Sequence, residues 1–320
     1  MNPKFALITA LAGKTRDRFA EYQESRSINE KIELISKING VSGIEIIFPD
    51  ETPEPEKLKK ITNDYGLKIA AINCNIKGKP CFSLGAISSP DVNVRKEAIG
   101  LLKNAKDYAS HVGADKVHSA PLNDGYDYFF QMNYMDAWKY IADSLSEVCE
   151  YVPEINLVIE YKESEPRVRC FFSNFFSVLS ICRQLGYKNL GATIDIGHSF
   201  YNGENPSEAL CNFVVSGFPF YVHINDNNRR WDWDLIPGTW NTMNLLEFLF
   251  WLDEFKYDDF LTFDVFPGRL DVNGTFESAI RITAKFCETV GKLDKALIKK
   301  LMSENDFLSI NKYIEQMLYK

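Results

Sequence analysis

Short apolar runs alternate along the chain with longer stretches in which apolar positions recur at helical spacing, and a glycine often separates one from the next. That alternation predicts successive βα units around a parallel sheet, because each crossover helix must lay its apolar stripe on a strand face. The first strand is expected at residues 5–11. The helix after it opens at Ser27 with Glu30 three residues on, a capping box in which each side chain satisfies a free backbone N–H. Gly40 and Gly43 break that helix before a strand at 44–48. A helix at 56–65 stops at Gly66, where a left-handed residue is tolerated, and a strand follows at 68–73. A long helix begins near Pro90, suited to a first helical turn, and ends at Gly113 before a strand at 115–119. The second half repeats the scheme: helix 134–151 capped by Asn133, strand 156–160, helix 173–185 closed by Gly186, strand 191–196, a helix from Pro206, strand 220–224, helix 243–255 and strand 260–265.

Eight strands with a helix after each is the count of a closed (β/α)8 TIM barrel, and strands buried on both faces should read as continuous apolar runs, as these do. Residues 1–285 are assigned to the barrel. Residues from 275 onward hold more helix than the eighth unit needs, so 286–320 are read as a C-terminal helical extension that could pack on a neighbouring subunit. No linker, charge block or low-complexity segment suggests a second domain of another kind.

Composition narrows the partners. With 45% hydrophobic and 25% charged residues, and no apolar run long enough to span a bilayer, the chain reads as a globular protein without a membrane segment. The first residues lack the charged-then-apolar build of a secretory signal, which points to the cytoplasm. Seven cysteines with no C-x-x-C pair argue against a disulfide framework and a thiolate zinc site. A net charge of −8 disfavours nucleic acid. A small neutral or metal-bound substrate fits better.

The candidate chemistry gathers at strand ends. Glu160 ends the fifth run, Asp195 the sixth with His198 three residues on, His223 lies in the seventh, and Asp264 is near the end of the eighth. Any one acidic residue at a strand end is more often a cap or a solvated loop residue than a ligand. Four in succession are different, because the strand ends of such a barrel converge on one bowl. Carboxylates meeting there would repel one another, and a divalent cation resolves the conflict. Three carboxylates and an imidazole form an oxygen-rich set suited to Mn²⁺, with Mg²⁺, Co²⁺ or Zn²⁺ as alternatives. His198, Asp232 and Asp234 could hold a second ion with Asp195 bridging, provided that 232–234 is extended and not helical. His118 ends the fourth strand and is a candidate for substrate contact, whereas His111 is expected on a helix face.

These residues carry a resemblance. The segment Glu160-Tyr161-Lys162-Glu163-Ser164-Glu165-Pro166-Arg167 has the E-x-K-x-x-E-P-R form seen in xylose isomerases. Asp195-x-x-His198, His223, Asp232-x-Asp234 and Asp264 fall where xylose-isomerase-like barrels, L-rhamnose isomerases included, place their metal ligands. Residues 223–227 and Ile236-Pro237-Gly238-Thr239 also look like the broader sugar isomerase and epimerase group. The resemblance implies a metal-dependent sugar isomerase that interconverts an aldose and a ketose by a metal-assisted hydride shift, on a free or phosphorylated sugar. Glu160, Asp195, His223 and Asp264 would hold one ion; His198, Asp232 and Asp234, with Asp195, the other. Lys162 would stabilise charge developing on the carbonyl oxygen, or simply pair with Glu165 or Asp195. A homo-oligomer, dimer or tetramer, goes with such a reading.

One departure leaves alternatives open. No histidine precedes residue 111, so the ring-opening histidine of xylose isomerases has no match here. A single-metal ketose 3-epimerase resembles the chain in Glu160, Asp195, His223 and an arginine six residues later, Arg229. It would use Glu160 and the eighth-strand carboxylate as acid and base, although Asp264 is one methylene shorter than the glutamate expected. A barrel without catalysis, binding a sugar or a partner, is the third reading. Trp231, like Trp233 and Trp240, could stack on a sugar face or serve as ordinary packing.

Overall fold

Eight parallel strands close on themselves in the computed structural model, which describes residues 2–318. They are β1 Lys4–Ile8, β2 Val41–Phe48, β3 Lys68–Cys74, β4 Lys116–Ser119, β5 Asn156–Glu160, β6 Leu190–Asp195, β7 Phe220–Ile224 and β8 Phe260–Phe263. Neighbours pair in chain order, and β1 closes the ring against β8. The expected (β/α)8 barrel is therefore the fold. Around it lie α1 Ile28–Ser36, α2 Pro55–Asp64, α3 Val92–Val112, α4 Tyr134–Glu150, α5 Phe175–Leu185, a short α6 Ile196–Tyr201, α7 Pro206–Ser216, α8 Thr242–Glu254 and α9 Val272–Lys292. Two more helices, α10 Lys295–Ser303 and α11 Phe307–Leu318, follow. Helix α9 runs unbroken through residues 285–286. Among the described residues no helix is long and apolar enough to cross a membrane.

The local signals act as the sequence suggests, with small displacements. Ser27 and Glu30 form the reciprocal capping box of α1, and Asn133 caps α4. Pro90 is not the first residue of α3; Asp91 caps it instead, its carboxylate accepting from the Asn93 N–H at 2.8 Å. The first strand stops at Ile8 and turns into a tight helical stretch at Thr9–Ala12, since an apolar run alone does not separate strand from helix. Gly191 at the start of β6 has a backbone reason: a Cβ there would lie 1.8 Å from the Pro219 carbonyl oxygen.

Register decides which side chains meet. Asp195 is level with His223, Thr193 with Glu160, Asn73 with His118, and Ile8 with Glu45. Because side chains alternate across a strand, these levels place polar groups on the inner face near the carboxyl ends. The lower interior is filled by Ala6, Ala70, Ala71, Val158, Tyr221 and Phe260, all buried. Above the mouth, a small sheet of Gly125–Tyr126, Ser164–Glu165 and Val168–Cys170 fixes the segment that follows β5.

Candidate active site

Glu160 is the last residue of β5 and Asp195 the last of β6, so both carboxylates emerge where the barrel opens. Asp195 also caps α6, accepting the His198 N–H at 2.9 Å, and Asn225 donates to its two oxygens at 3.1 and 2.9 Å. Gly197 makes that arrangement possible, because a Cβ there would sit 1.9 Å from the Asn225 side-chain oxygen. Glycine lets the turn of α6 pass close enough for Asn225 to hold Asp195.

The expected groups assemble. Ligand atoms of Glu160, Asp195, His223 and Asp264 lie within 4.8 Å of one another, as do those of Asp195, His198 and Asp232. His223 Nδ1 faces Glu160 at 3.1 Å, Asp264 at 3.6 Å and Asp195 at 3.9 Å. His198 Nε2 lies 3.0 Å from Asp232 Oδ2, while its Nδ1 is 2.9 Å from the Tyr161 carbonyl oxygen. The stretch 231–235 is not helical, but it is not extended throughout either, so the condition set for the Asp232-x-Asp234 pairing is met only in part. Asp234 stands outside the second cluster of ligand atoms: it has a left-handed backbone (φ 48°) and accepts from Asn225 at 3.3 Å.

Lys162 sits between two carboxylates, 2.8 Å from Asp232 and in contact with Glu165, so the pairing with Glu165 is present and that with Asp195 is replaced by Asp232. His118 is buried; its Nδ1 is 2.8 Å from the Thr193 hydroxyl and its Nε2 3.4 Å from Glu160. Arg229 turns elsewhere, donating to Asn241 at 2.8 Å and Asn244 at 3.0 Å with its guanidinium over Phe200. Trp231 packs edge-on against Tyr201 beside Asp232, and Trp240 is exposed. His111 is on α3, bonded within its own turn.

Two residues at the mouth escaped the sequence reading. Glu45, in the middle of β2, is fully buried, with Oε2 3.0 Å from His223 Nε2 and Oε1 accepting from Asn73 at 2.7 Å. An acidic residue inside an apolar run was its signal, since a strand of a closed barrel has no water-facing side. Lys77 follows β3; burial lowers its ammonium, while Glu160 and Asp264 pull the other way. Nothing in its surrounding sequence marks it.

The charges of the mouth are unevenly held. Burial works against the Glu160 carboxylate, but His118 and His198 outweigh it and keep the group well below its ordinary range. Glu45 is likewise brought down to about 2, against its burial, by His223 and His118. Asp264 is pushed up to about 7 by burial and by Asp195, Glu160 and Asp232, with His223 opposing. Burial and Asp232 raise Asp234 well above normal. The imidazoles respond in kind: despite burial, Asp195, Asp232 and Glu160 lift His198 to about 10, and Glu45 and Glu160 lift His223 well above its ordinary range. Protons on the two rings thus offset carboxylates that a cation would otherwise balance.

The donor set fits a divalent cation. It offers carboxylate oxygens and imidazole nitrogens in the proportion such ions take, and the Asp232 Oδ1 and Asn225 Oδ1 atoms are buried without a hydrogen-bond partner. A buried acceptor left without a donor is costly unless something else satisfies it.

Comparison with known proteins agrees with the architecture. Residues 32–286 match the family described as xylose isomerase-like TIM barrel. Xylose isomerase of Thermus thermophilus is 25% identical over 209 residues, covering 62% of this chain and 54% of that protein. Xylose isomerase of Paraburkholderia xenovorans is 24% identical over 195 residues, covering 59% and 44% respectively. The chain thus spans about half the length of these relatives. Among solved structures, a D-tagatose 3-epimerase-like protein superposes with a TM-score of 0.71 at 23% identity, covering 90% of this chain and 98% of that one.

Proposed function

Because the chain belongs to the xylose isomerase-like TIM barrel family, we propose that it is a divalent-metal-dependent sugar isomerase that interconverts an aldose and a ketose, with Mn²⁺ as the working ion. The observation that carries this reading is the second cluster, Asp195, His198 and Asp232, sharing Asp195 with the first and set beside Lys162. A reaction that only moves a proton at one carbon has no need of it.

Glu160, Asp195, His223 and Asp264 would hold one ion, and Asp195, His198 and Asp232 a second, with Asp234 supporting through Asn225. A divalent ion held there would supply Lewis-acid polarisation of substrate oxygens, the chemistry that an aldose–ketose interconversion calls for. The chain's own residues do the rest. Lys162 is oriented by Asp232 and Glu165 and presents N–H donors to a substrate oxygen as negative charge develops there. His118 offers an imidazole edge next to Glu160 for a substrate hydroxyl.

One observation favours a second reading, proton transfer at a single carbon. Glu160 is held ionised while Asp264, 25% exposed at its side chain, keeps a proton up to about pH 7. Two carboxyls driven apart in this way suit a base and an acid. Product analysis decides between them: with Mn²⁺ and a panel of aldoses and ketoses, free and phosphorylated, an aldose formed from a ketose supports the isomerase. A ketose inverted at carbon 3 moves Glu160 and Asp264 into acid–base roles. No product from any sugar on Mn²⁺-loaded protein rejects both for that panel. The same proposal includes a homo-oligomer through the terminal helices, where Phe307 and Leu308 of α11 are 68% and 79% exposed; a monomer in sedimentation would reject that part.

A further inference from the structure

We propose that Glu45 is the positioning residue of His223 and fixes which of its ring nitrogens is left free to bind a metal; this rests on the reading that His223 is a ligand. Glu45 comes from β2, a strand that carries none of the four proposed ligands of that ion. Its Oε2 is 3.0 Å from His223 Nε2, and its Oε1 is occupied by the Asn73 amide at 2.7 Å. The Glu45 backbone is tied in as well, its carbonyl accepting from the Thr9 hydroxyl at 3.0 Å. The carboxylate has little freedom to swing.

An ionised carboxylate only accepts, so the hydrogen in the Glu45 contact belongs to His223 Nε2. A neutral ring with its hydrogen on Nε2 has its lone pair on Nδ1. That nitrogen is the one facing Glu160, Asp264 and Asp195, at 3.1, 3.6 and 3.9 Å. The ring is also clamped by packing, with the His118 ring centroid at 4.7 Å and Tyr221 edge-on at 5.3 Å. Glu45, His118 and His223 also bring ligand atoms within 4.8 Å of one another. The Asn73 and His223 contacts use both Glu45 oxygens, however, so this trio acts as a support behind the site and not as a third ion site. Outer carboxylates of this kind orient the ring and raise its basicity, and losing one typically costs about 10–100-fold in metal affinity.

The test uses the full chain stripped of metal, titrated calorimetrically with MnCl2 as wild type, E45Q and E45L, with nitrogen NMR of histidine-labelled protein loaded with MgCl2. The expected result is a ring protonated at Nε2 in the loaded wild type, and Mn²⁺ binding weaker by about 10–100-fold in E45L. E45Q should recover most of the affinity, since its amide oxygen can still accept from Nε2. A loaded wild type with its hydrogen on Nδ1 overturns the proposal, and so does E45L binding Mn²⁺ as tightly as wild type. The NMR result stands even where E45L does not fold. A wild type that takes up no divalent ion would instead remove the metal reading underneath, an outcome distinct from tight binding by both proteins.

Discussion

The two ends of the barrel carry charge in opposite ways. At the amino-terminal end, Lys116 on β4 is buried and satisfied: 2.9 Å from Asp259, in contact with Asp115, donating to the Ala70 carbonyl oxygen at 3.1 Å, with Tyr221 beneath its ammonium at 5.2 Å. One cation meets two carboxylates that are themselves partly in water. At the carboxyl-terminal end, Glu45, Glu160, Asp195, Asp232, Asp234 and Asp264 converge, with Lys162 held against Asp232 and the partly buried Lys77 as the lysines nearby. The balanced end reads as structure. The unbalanced end reads as a place made to bind a cation, since the folded chain bears a repulsion it could have avoided.

The largest expected effect is at the residue both clusters share. Asp195→Asn should bring turnover to background and weaken Mn²⁺ at both groups in calorimetry; full turnover by the variant would refute the shared role. Next comes Lys162→Met. It should lower kcat by about 10²–10³, the usual loss for one preorganised donor to a developing oxyanion, while Mn²⁺ affinity is retained. A variant with normal kcat would return Lys162 to a structural pairing. Lys116→Met should do the reverse, costing about 1–2 kcal/mol of stability in denaturant titration and leaving metal affinity alone. That is below the ~3–5 kcal/mol of a broken fully buried pair because the Asp115 and Asp259 side chains are 72% and 30% exposed. Loss of metal binding in Lys116→Met would break the contrast between the ends.

The same contrast explains what could be read from the sequence. Strands β5 and β7 have the ends expected of them, because β5 is preceded by turn residues and ends in Glu160, and Phe220–Ile224 follows a Gly-Phe-Pro break. Strand β8 stops at Phe263, two residues early, as the chain leaves the sheet to aim Asp264 at His223. Asp195 and His198 were legible because their spacing spans a strand end and the first turn of a helix. Glu45 carried a subtler signal: in Ile44-Glu45-Ile46-Ile47 a period-2 reading of the strand by itself sends the acidic side chain to water, whereas in a closed barrel neither face of the strand meets water. The partners of Arg229 were not legible, since spacing from His223 says nothing of Asn241 and Asn244, to which it donates at the start of α8. Spacing along one strand is local information. Contacts between distant strands are not.

The smallest effect concerns pH, and its sign separates the two ends. In the metal-free protein Asp264 is raised from 3.8 to about 7, so its penalty is absent below pH 3.8 and complete above about 7. His198 is raised from 6.5 to about 10; the stability it contributes is full below pH 6.5 and lost as pH rises through 10. Both act in one direction, and the metal-free chain should lose stability steadily from about pH 4 to pH 10. Glu45, lowered to about 2, does not oppose this, because its contribution is already complete above 4.5. Lys116 is raised above 10.5, so the amino-terminal end contributes a constant through that range. On the proposed reading, a divalent ion held by His198 and His223 would take the place of their protons and should reverse the slope, because affinity climbs as protons cease to compete. Melting temperatures at pH 6 and pH 9, with chelator and with excess Mn²⁺, measure both slopes. The chelated protein should melt a few degrees lower at pH 9, Lys116→Met should keep that slope, and His198→Asn should reduce it, with Asp264 and His223 supplying what remains. A chelated wild type that melts higher at pH 9 would mean that the carboxylates of the mouth are relieved by something other than protons on these two rings.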